Sequence, residues 1–128
     1  MSMTFLIPGD EPVTVTLSVD SQVFLYSATL RENIGDHTGV VPPSSKTVDT
    51  ATWTGVGSHG GSISLDVSWV VIHNATPGRP YHAIVTVTDA AGAQLQPRNG
   101  SSNPTRVPGQ IGPAGNPTDF GHQGVFVG

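Results

Sequence analysis

The chain has 128 residues, of which five are Lys or Arg and nine are Asp or Glu, and it has no cysteine. This length fits a single domain, and the scattered cations argue against a nucleic-acid ligand or an anionic membrane surface, because both require clustered positive charge. Without cysteine there is no disulfide, no thiolate nucleophile and no zinc site with cysteine ligands.

The N-terminus has no sign of a secretory signal. Residues 1–8 carry no basic side chain, and Pro8 ends a short apolar run. We therefore expect synthesis in the cytoplasm, while the final location stays open, with association with a virion as one setting.

Alternation of apolar and polar residues predicts β-strands, and no window of ten residues has the periodicity of a helix. In chain order the predicted strands cover residues 13–19, 22–31, 47–56, 63–71 and 81–87. Residues 22–31 have apolar side chains at both odd and even positions, as in a strand that is covered on both faces. Residues 47–56 are rich in β-branched Thr around Trp53, which suits a pleated surface.

The last two predicted strands are expected to form a hairpin. The residues between them, 74–80, have the Pro, Gly and Asn content of a loop. If His73 lies opposite Tyr81, then Trp69 lies opposite Val85 and both apolar stripes fall on one side of the ladder. This register predicts that Trp69 belongs to the core.

From residue 97 onward the composition changes. Residues 97–128 hold five of the eleven prolines and seven of the sixteen glycines, and they end in the apolar tip Val125, Phe126 and Val127. Such a segment buries too little apolar area to order by itself. We therefore expect an extended arm that lies on a neighbouring subunit, with its own sandwich as the alternative support.

Together these patterns predict an all-β protein. The expected architecture is an antiparallel β-sandwich, immunoglobulin-like or jelly-roll-like, over residues 1–96, followed by the Pro/Gly-rich extended C-terminal arm over residues 97–128. Several short strands separated by turns, without helices, are typical of this class.

No motif predicts catalysis, a cofactor or a metal site. Residues 55–60 match G-x-G-x-x-G, but a strand pattern follows them where a dinucleotide site needs a helix, so they indicate a loop. The polar residues 32–37 fit either a calcium ligand set or a capped turn. The histidines have no metal-ligand spacing; they are His37, His59, His73, His82 and His122. With two glutamates and no G-x-S-x-G sequence, we expect a protein that is not an enzyme.

The function that this composition favours is structural. We expect a protein that forms homo-oligomers or joins a larger protein assembly, such as a virion decoration, tail or filament subunit. The arm would lie along the sheet edge of a neighbour, with Val125, Phe126 and Val127 filling pockets on it.

The alternative function is that of a carbohydrate-binding module, or lectin. Trp53 would stack on a sugar ring, and polar groups from adjacent loops and from the ends of the hairpin would contact its hydroxyls. Those partners are Asp36, His37, His59, His73 and Tyr81. Whether Trp53 lies at the surface or in the core stays open at this point.

Overall fold

The computed structural model describes residues 3–5, 12–21, 23–34, 37–56, 63–72, 77–97 and 102–127. These residues form ten β-strands and no helix. In chain order the strands are β1 (Met3–Phe5), β2 (Val13–Val19), β3 (Phe24–Ile34), β4 (His37–Val41), β5 (Ser45–Lys46), β6 (Thr50–Val56), β7 (Ile63–Ile72), β8 (Pro80–Thr88), β9 (Thr105–Gln110) and β10 (Thr118–Val127).

The described strands form two five-stranded sheets. The strand order is β1-β10-β7-β3-β4 in sheet A and β5-β6-β2-β8-β9 in sheet B. β1 runs parallel to β10, and the other described pairs of neighbouring strands are antiparallel. The prediction of an all-β protein built from antiparallel sheets is confirmed.

The core lies between the two sheets because the strands alternate. In β2 the odd-numbered residues from Val13 to Val19 are buried, and the residues between them are half-exposed. Each Val or Leu buried in this way stabilises the fold by roughly 1.5–3 kcal/mol relative to exposure. Trp69 of β7, 2% exposed, is among the largest buried side chains, so the prediction that it belongs to the core is confirmed.

The predicted hairpin between residues 63–71 and 81–87 is wrong. β7 lies between β10 and β3 in sheet A, whereas β8 lies between β2 and β9 in sheet B. Trp69 pairs with Gly121 and Ala28, not with Val85. Strands that face each other across a core also point their apolar stripes toward one another. Alternation alone therefore does not tell whether the chain returns to its own sheet or crosses to the other.

Residues 105–127 belong to the sandwich and do not form an extended arm. β9 pairs with β8, and β10 pairs with β7 along its whole length. Ile111 and Val125, each 1% exposed, belong to the same core cluster as the buried residues of β2. The strands after residue 97 therefore share the two sheets and the core with the strands before it.

The glycines and prolines of residues 97–128 predicted an extended arm, but in the structure two of them have local roles within strands. A Cβ atom at Gly121 would lie 2.7 Å from the Trp69 ring, so β10 can pass the indole because residue 121 has no side chain. Pro108 lies in β9, at the edge of sheet B, where a residue that cannot donate a ladder hydrogen bond is tolerated. The average composition of residues 97–128 does not show that Gly121 and Pro108 each occupy a position in a strand that tolerates or requires them.

Candidate functional site

The predicted sugar-stacking residue, Trp53, has no free ring face. Its side chain is 0% exposed, and its indole Nε1 donates a hydrogen bond to the carbonyl of Val41 at 2.9 Å. Tyr81, assigned to the same site from the sequence, is 2% exposed. Both side chains belong to the core, so neither is available to a ligand.

The other residues of the predicted sugar site are not described with their side chains. Asp36, His59 and His73 lie outside the described residues, and His37 is described only as the backbone that begins β4. The described part of the chain therefore assembles no sugar site around Trp53.

The apolar tip assigned to partner binding docks on its own domain. Val125 is buried in the core at 1% exposed, and Val127 is described only by its backbone, which pairs with Ile63. Phe126 is 38% exposed and is the one described side chain of the tip that faces away from the core.

The G-x-G-x-x-G match does not lead into a described helix. β6 ends at Val56, and the next described residue, Ile63, begins β7; residues 57–60 of the match lie outside the described residues. Of the polar residues 32–37, residues 32–34 end β3 and residue 37 begins β4, and these strands pair.

No group of three His, Asp or Glu residues within the described ranges is placed to hold a metal ion. Within the described residues, no helix is long and apolar enough to cross a membrane.

The outer face of sheet A carries an exposed apolar cluster. Tyr26 is 69% exposed and Phe120 is 81% exposed. The strand register brings the cluster together, because Val70 of β7 pairs with Phe120, and Ile72 pairs with Phe24. We call this cluster the apolar patch, and its members are Phe24, Tyr26, Val70, Ile72 and Phe120.

The sequence contained a signal for the apolar patch. Residues 22–31 are apolar at both parities, which predicted a strand covered on both faces. In the structure Leu25 and Leu30 of β3 pack into the core. On the other side of the strand, Phe24 and Tyr26 are 45% and 69% exposed. No described residue supplies the second cover that the pattern predicted.

A polar depression adjoins the apolar patch on the same face of sheet A. Its volume is about 600 Å³. Gly124 lies within it and has no side chain, whereas the flanking outward residues of β10 are His122 and Phe126, so the face dips between them. In the register, Asp66 of β7 lies between Gly124 and Arg31. We define the polar depression by its solvent-accessible polar wall residues, which are Arg31, Asn33, Thr38, Ser64, Asp66 and His122; the buried Gln123 also lines it.

Hydrogen bonds hold the polar side chains of the depression in place. The Asp66 carboxylate lies 3.1 Å from His122 Nδ1 through one oxygen, and its other oxygen accepts from the Ser68 hydroxyl at 3.4 Å. The Thr38 hydroxyl donates to the amide oxygen of Asn33 at 2.9 Å. The depression therefore offers oriented acceptors and donors to a ligand.

A hydrogen-bond chain joins the two sheets through Tyr81 of β8. Its hydroxyl accepts from Trp69 Nε1 at 3.3 Å and donates to Asp119 Oδ2 at 2.6 Å. Burial, and next the hydrogen bond to Asp119, raise the pKa of Tyr81 well above its ordinary value of 10.0. Tyr81 therefore stays a protonated donor between the sheets, which is a structural role.

An ionic cluster lies on sheet B, at the end of β2. Asp20 Oδ1 accepts the backbone N–H of His82 at 2.6 Å, and Asp20 Oδ2 lies 3.4 Å from both His82 Nδ1 and Arg106 Nη2. Partial burial acts to raise the pKa of Asp20, but hydrogen bonds from the His82 backbone and from Ser21, with the nearby positive charges, lower it below 3.8. The carboxylate thereby fixes the end of β2 against β8.

Comparison of the chain with models of known protein families, with curated proteins and with solved structures found no match. The candidate functional surface is therefore defined by geometry alone. It is the outer face of sheet A, with the apolar patch at one end and the polar depression at the other.

Proposed function

We propose that this protein is a non-enzymatic structural module, with an immunoglobulin-like or jelly-roll-like sandwich, that self-associates or decorates a larger particle through the outer face of sheet A. The observation that carries the proposal is the apolar patch, in which Tyr26 and Phe120 are 69% and 81% exposed. The surface differs from the arm expected from the sequence, because residues 105–127 form a loop and strands of the sandwich itself.

Solvent exposure of the apolar patch favours association. Apolar surface in contact with water costs roughly 25 cal/mol per Å², which association recovers. Contiguous exposed apolar patches mark interaction sites, and the centre of a protein interface is enriched in aromatic residues and depleted in charged ones. The patch has this composition, because none of its five members is charged.

A second copy of the chain is the occupant that the apolar patch fits best. β-Sheets pack face to face about 10 Å apart through side chains of this kind, and a two-fold axis places the same patch on both partners. The patch lies on the neighbouring strands β10, β7 and β3, toward one end of the face. A partner that packs on this end leaves the polar depression at the other end open. The small net charge of −4 also limits repulsion between copies.

The solution mass of the full-length protein, measured by light scattering after size-exclusion chromatography, tests this function. We expect the wild type to have the solution mass of two or more copies of the 13.2 kDa chain. Phe120→Ser should shift the mass to that of the monomer, because it replaces the most exposed aromatic side chain of the patch with a polar one.

Val48→Ser is the matched control. Val48 is 65% exposed, precedes β6 and lies outside the apolar patch, so its substitution should leave the mass unchanged. A wild-type protein that is monomeric at every concentration would overturn the proposal, and so would equal dissociation by Val48→Ser.

A further inference from the structure

We propose that the polar depression of sheet A binds a short neutral oligosaccharide. The depression shares no residue with the apolar patch. This inference therefore does not depend on self-association.

The size of the depression suits a chain of a few sugar rings. Along β10 it is lined by His122 and Gly124 and flanked by Phe126, and the four residues from 122 to 126 correspond to about 13 Å along a strand. Its volume of about 600 Å³ lies within the range of small-molecule sites and is far larger than a single ion needs.

The wall residues match the chemistry of sugar hydroxyls. Each hydroxyl both donates and accepts, so a sugar ring is held best by donors and acceptors placed side by side. Arg31 and Asp66 are cross-strand neighbours in the register. A guanidinium donates in a planar fork and a carboxylate accepts through two oxygens, so the pair can engage adjacent hydroxyls with charge-assisted hydrogen bonds.

The Asp66 and Asn33 side chains are oriented before a ligand arrives. Asp66 is held by His122 and Ser68, and the amide oxygen of Asn33 is engaged by Thr38. Side chains that are already oriented lose less conformational entropy on binding than free ones. The Asn33 amide nitrogen is the group of that side chain that remains to donate to a ligand.

An aromatic ring stands beside the polar groups. Phe126 is 38% exposed and pairs with Ser64, which lines the depression. The C–H face of a sugar ring is apolar, and contact with the Phe126 ring would remove it from water. Polar groups in the depression, with a ring next to it, distinguish this site from a simple ion site.

The charge of the site selects a neutral ligand. The positive Arg31 and the negative Asp66 lie next to each other, so the depression has no excess of either sign at its centre. An anionic ligand would meet the Asp66 carboxylate and a cationic one the Arg31 guanidinium, and each like-charge contact disfavours binding.

A glycan array and titration calorimetry test the proposal with the full-length protein. The probes are neutral oligosaccharides of two to four glucose, mannose, galactose or xylose units, with inorganic phosphate and sulfated disaccharides beside them. We expect binding to a neutral oligosaccharide, and a loss of affinity of about tenfold or more in Arg31→Ala and in Asp66→Ala.

Arg106→Ala is the matched control, because Arg106 is an exposed arginine of β9 in the opposite sheet. It should bind as the wild type does, and Arg31→Ala should keep the wild-type solution mass. The proposal is overturned if no neutral oligosaccharide binds, if only the anionic probes bind, or if Arg106→Ala loses as much affinity as Arg31→Ala. None of these results bears on the solution mass, which tests self-association separately.

Discussion

Gly121 lies where β10 passes over the indole of Trp69, and no side chain fits there. A Cβ atom would lie 2.7 Å from the ring of Trp69, which is itself 2% exposed. We expect Gly121→Ala to lower the free energy of unfolding by about 1–3 kcal/mol, as overpacking in a core does. Chemical denaturation measures the change.

The control for this substitution is Gly115→Ala. A Cβ atom at Gly115 meets nothing within 4 Å, so this variant should unfold at the wild-type denaturant concentration. Equal stability of the two variants would contradict the close packing of β10 against Trp69.

Ionisation of Tyr81 should make the free energy of unfolding fall at alkaline pH. Because the pKa of Tyr81 in the fold is raised above 10.0, its stabilising contribution is complete below pH 10.0 and is lost as the pH rises toward the folded pKa. Tyr81→Phe removes the hydroxyl between Trp69 and Asp119 and should cost about 1–3 kcal/mol near neutral pH. The stability gap between the two proteins should then narrow as the pH rises above 10.0.

Urea unfolding at a series of pH values measures this gap. Tyr26→Phe serves as the control, because Tyr26 is 69% exposed and makes no contact between the sheets. A gap between wild type and Tyr81→Phe that stays constant above pH 10.0 would contradict the assigned hydrogen bonds.

The sequence predicts single residues well only where alternation applies. The burial of Trp69 follows from its place in a strict apolar stripe. Trp53 lies in a Thr-rich strand next to a glycine-rich segment, and no local pattern showed that its ring would be covered. In the structure its indole N–H is satisfied by the carbonyl of Val41, the last residue of β4, a contact between two strands that the pattern of β6 alone does not report.

Among the elements, β10 shows how far the fold depends on residues whose composition predicts an arm. It lies between β1 and β7 in sheet A and contributes Val125 to the core. We expect a chain that ends at residue 117 to lose cooperative unfolding, because β7 loses a neighbour along its whole length and Trp69 loses its cover.

Near-ultraviolet circular dichroism and thermal unfolding of the shortened chain test this expectation. The arm hypothesis makes the opposite prediction, namely a folded domain that no longer assembles. A shortened chain with the wild-type spectrum and transition would favour the arm.

The predicted strands differ in accuracy for a physical reason. Residues 13–19 coincide with β2, and residues 63–71 and 81–87 lie within β7 and β8. β9 and β10 were not predicted as strands because Pro108, Gly121 and Gly124 interrupt the alternation of apolar and polar residues in them. The pairing of β7 with β10 and β3 depends on contacts between distant residues, which no local pattern reports.

At the scale of the whole molecule, the two outer faces differ in character. The outer face of sheet B is rich in half-exposed threonines of β2, β6 and β8, including Thr16, Thr52 and Thr86, which lie side by side in the register. Hydroxyl-bearing side chains of this kind interact well with water. Sheet A instead carries the apolar patch and the polar depression, so the molecule has one face suited to water and one suited to contacts.

The central place of β10 also affects how the protein is made. Thr118 pairs with Ile72, although about a third of the chain separates them in sequence. While the ribosome is still adding residues 118–127, β7 has an open edge and the Trp69 indole is uncovered. The growing polypeptide therefore passes through a stage in which an unpaired strand can join that of another nascent molecule. Contacts between such distant segments also make folding slow.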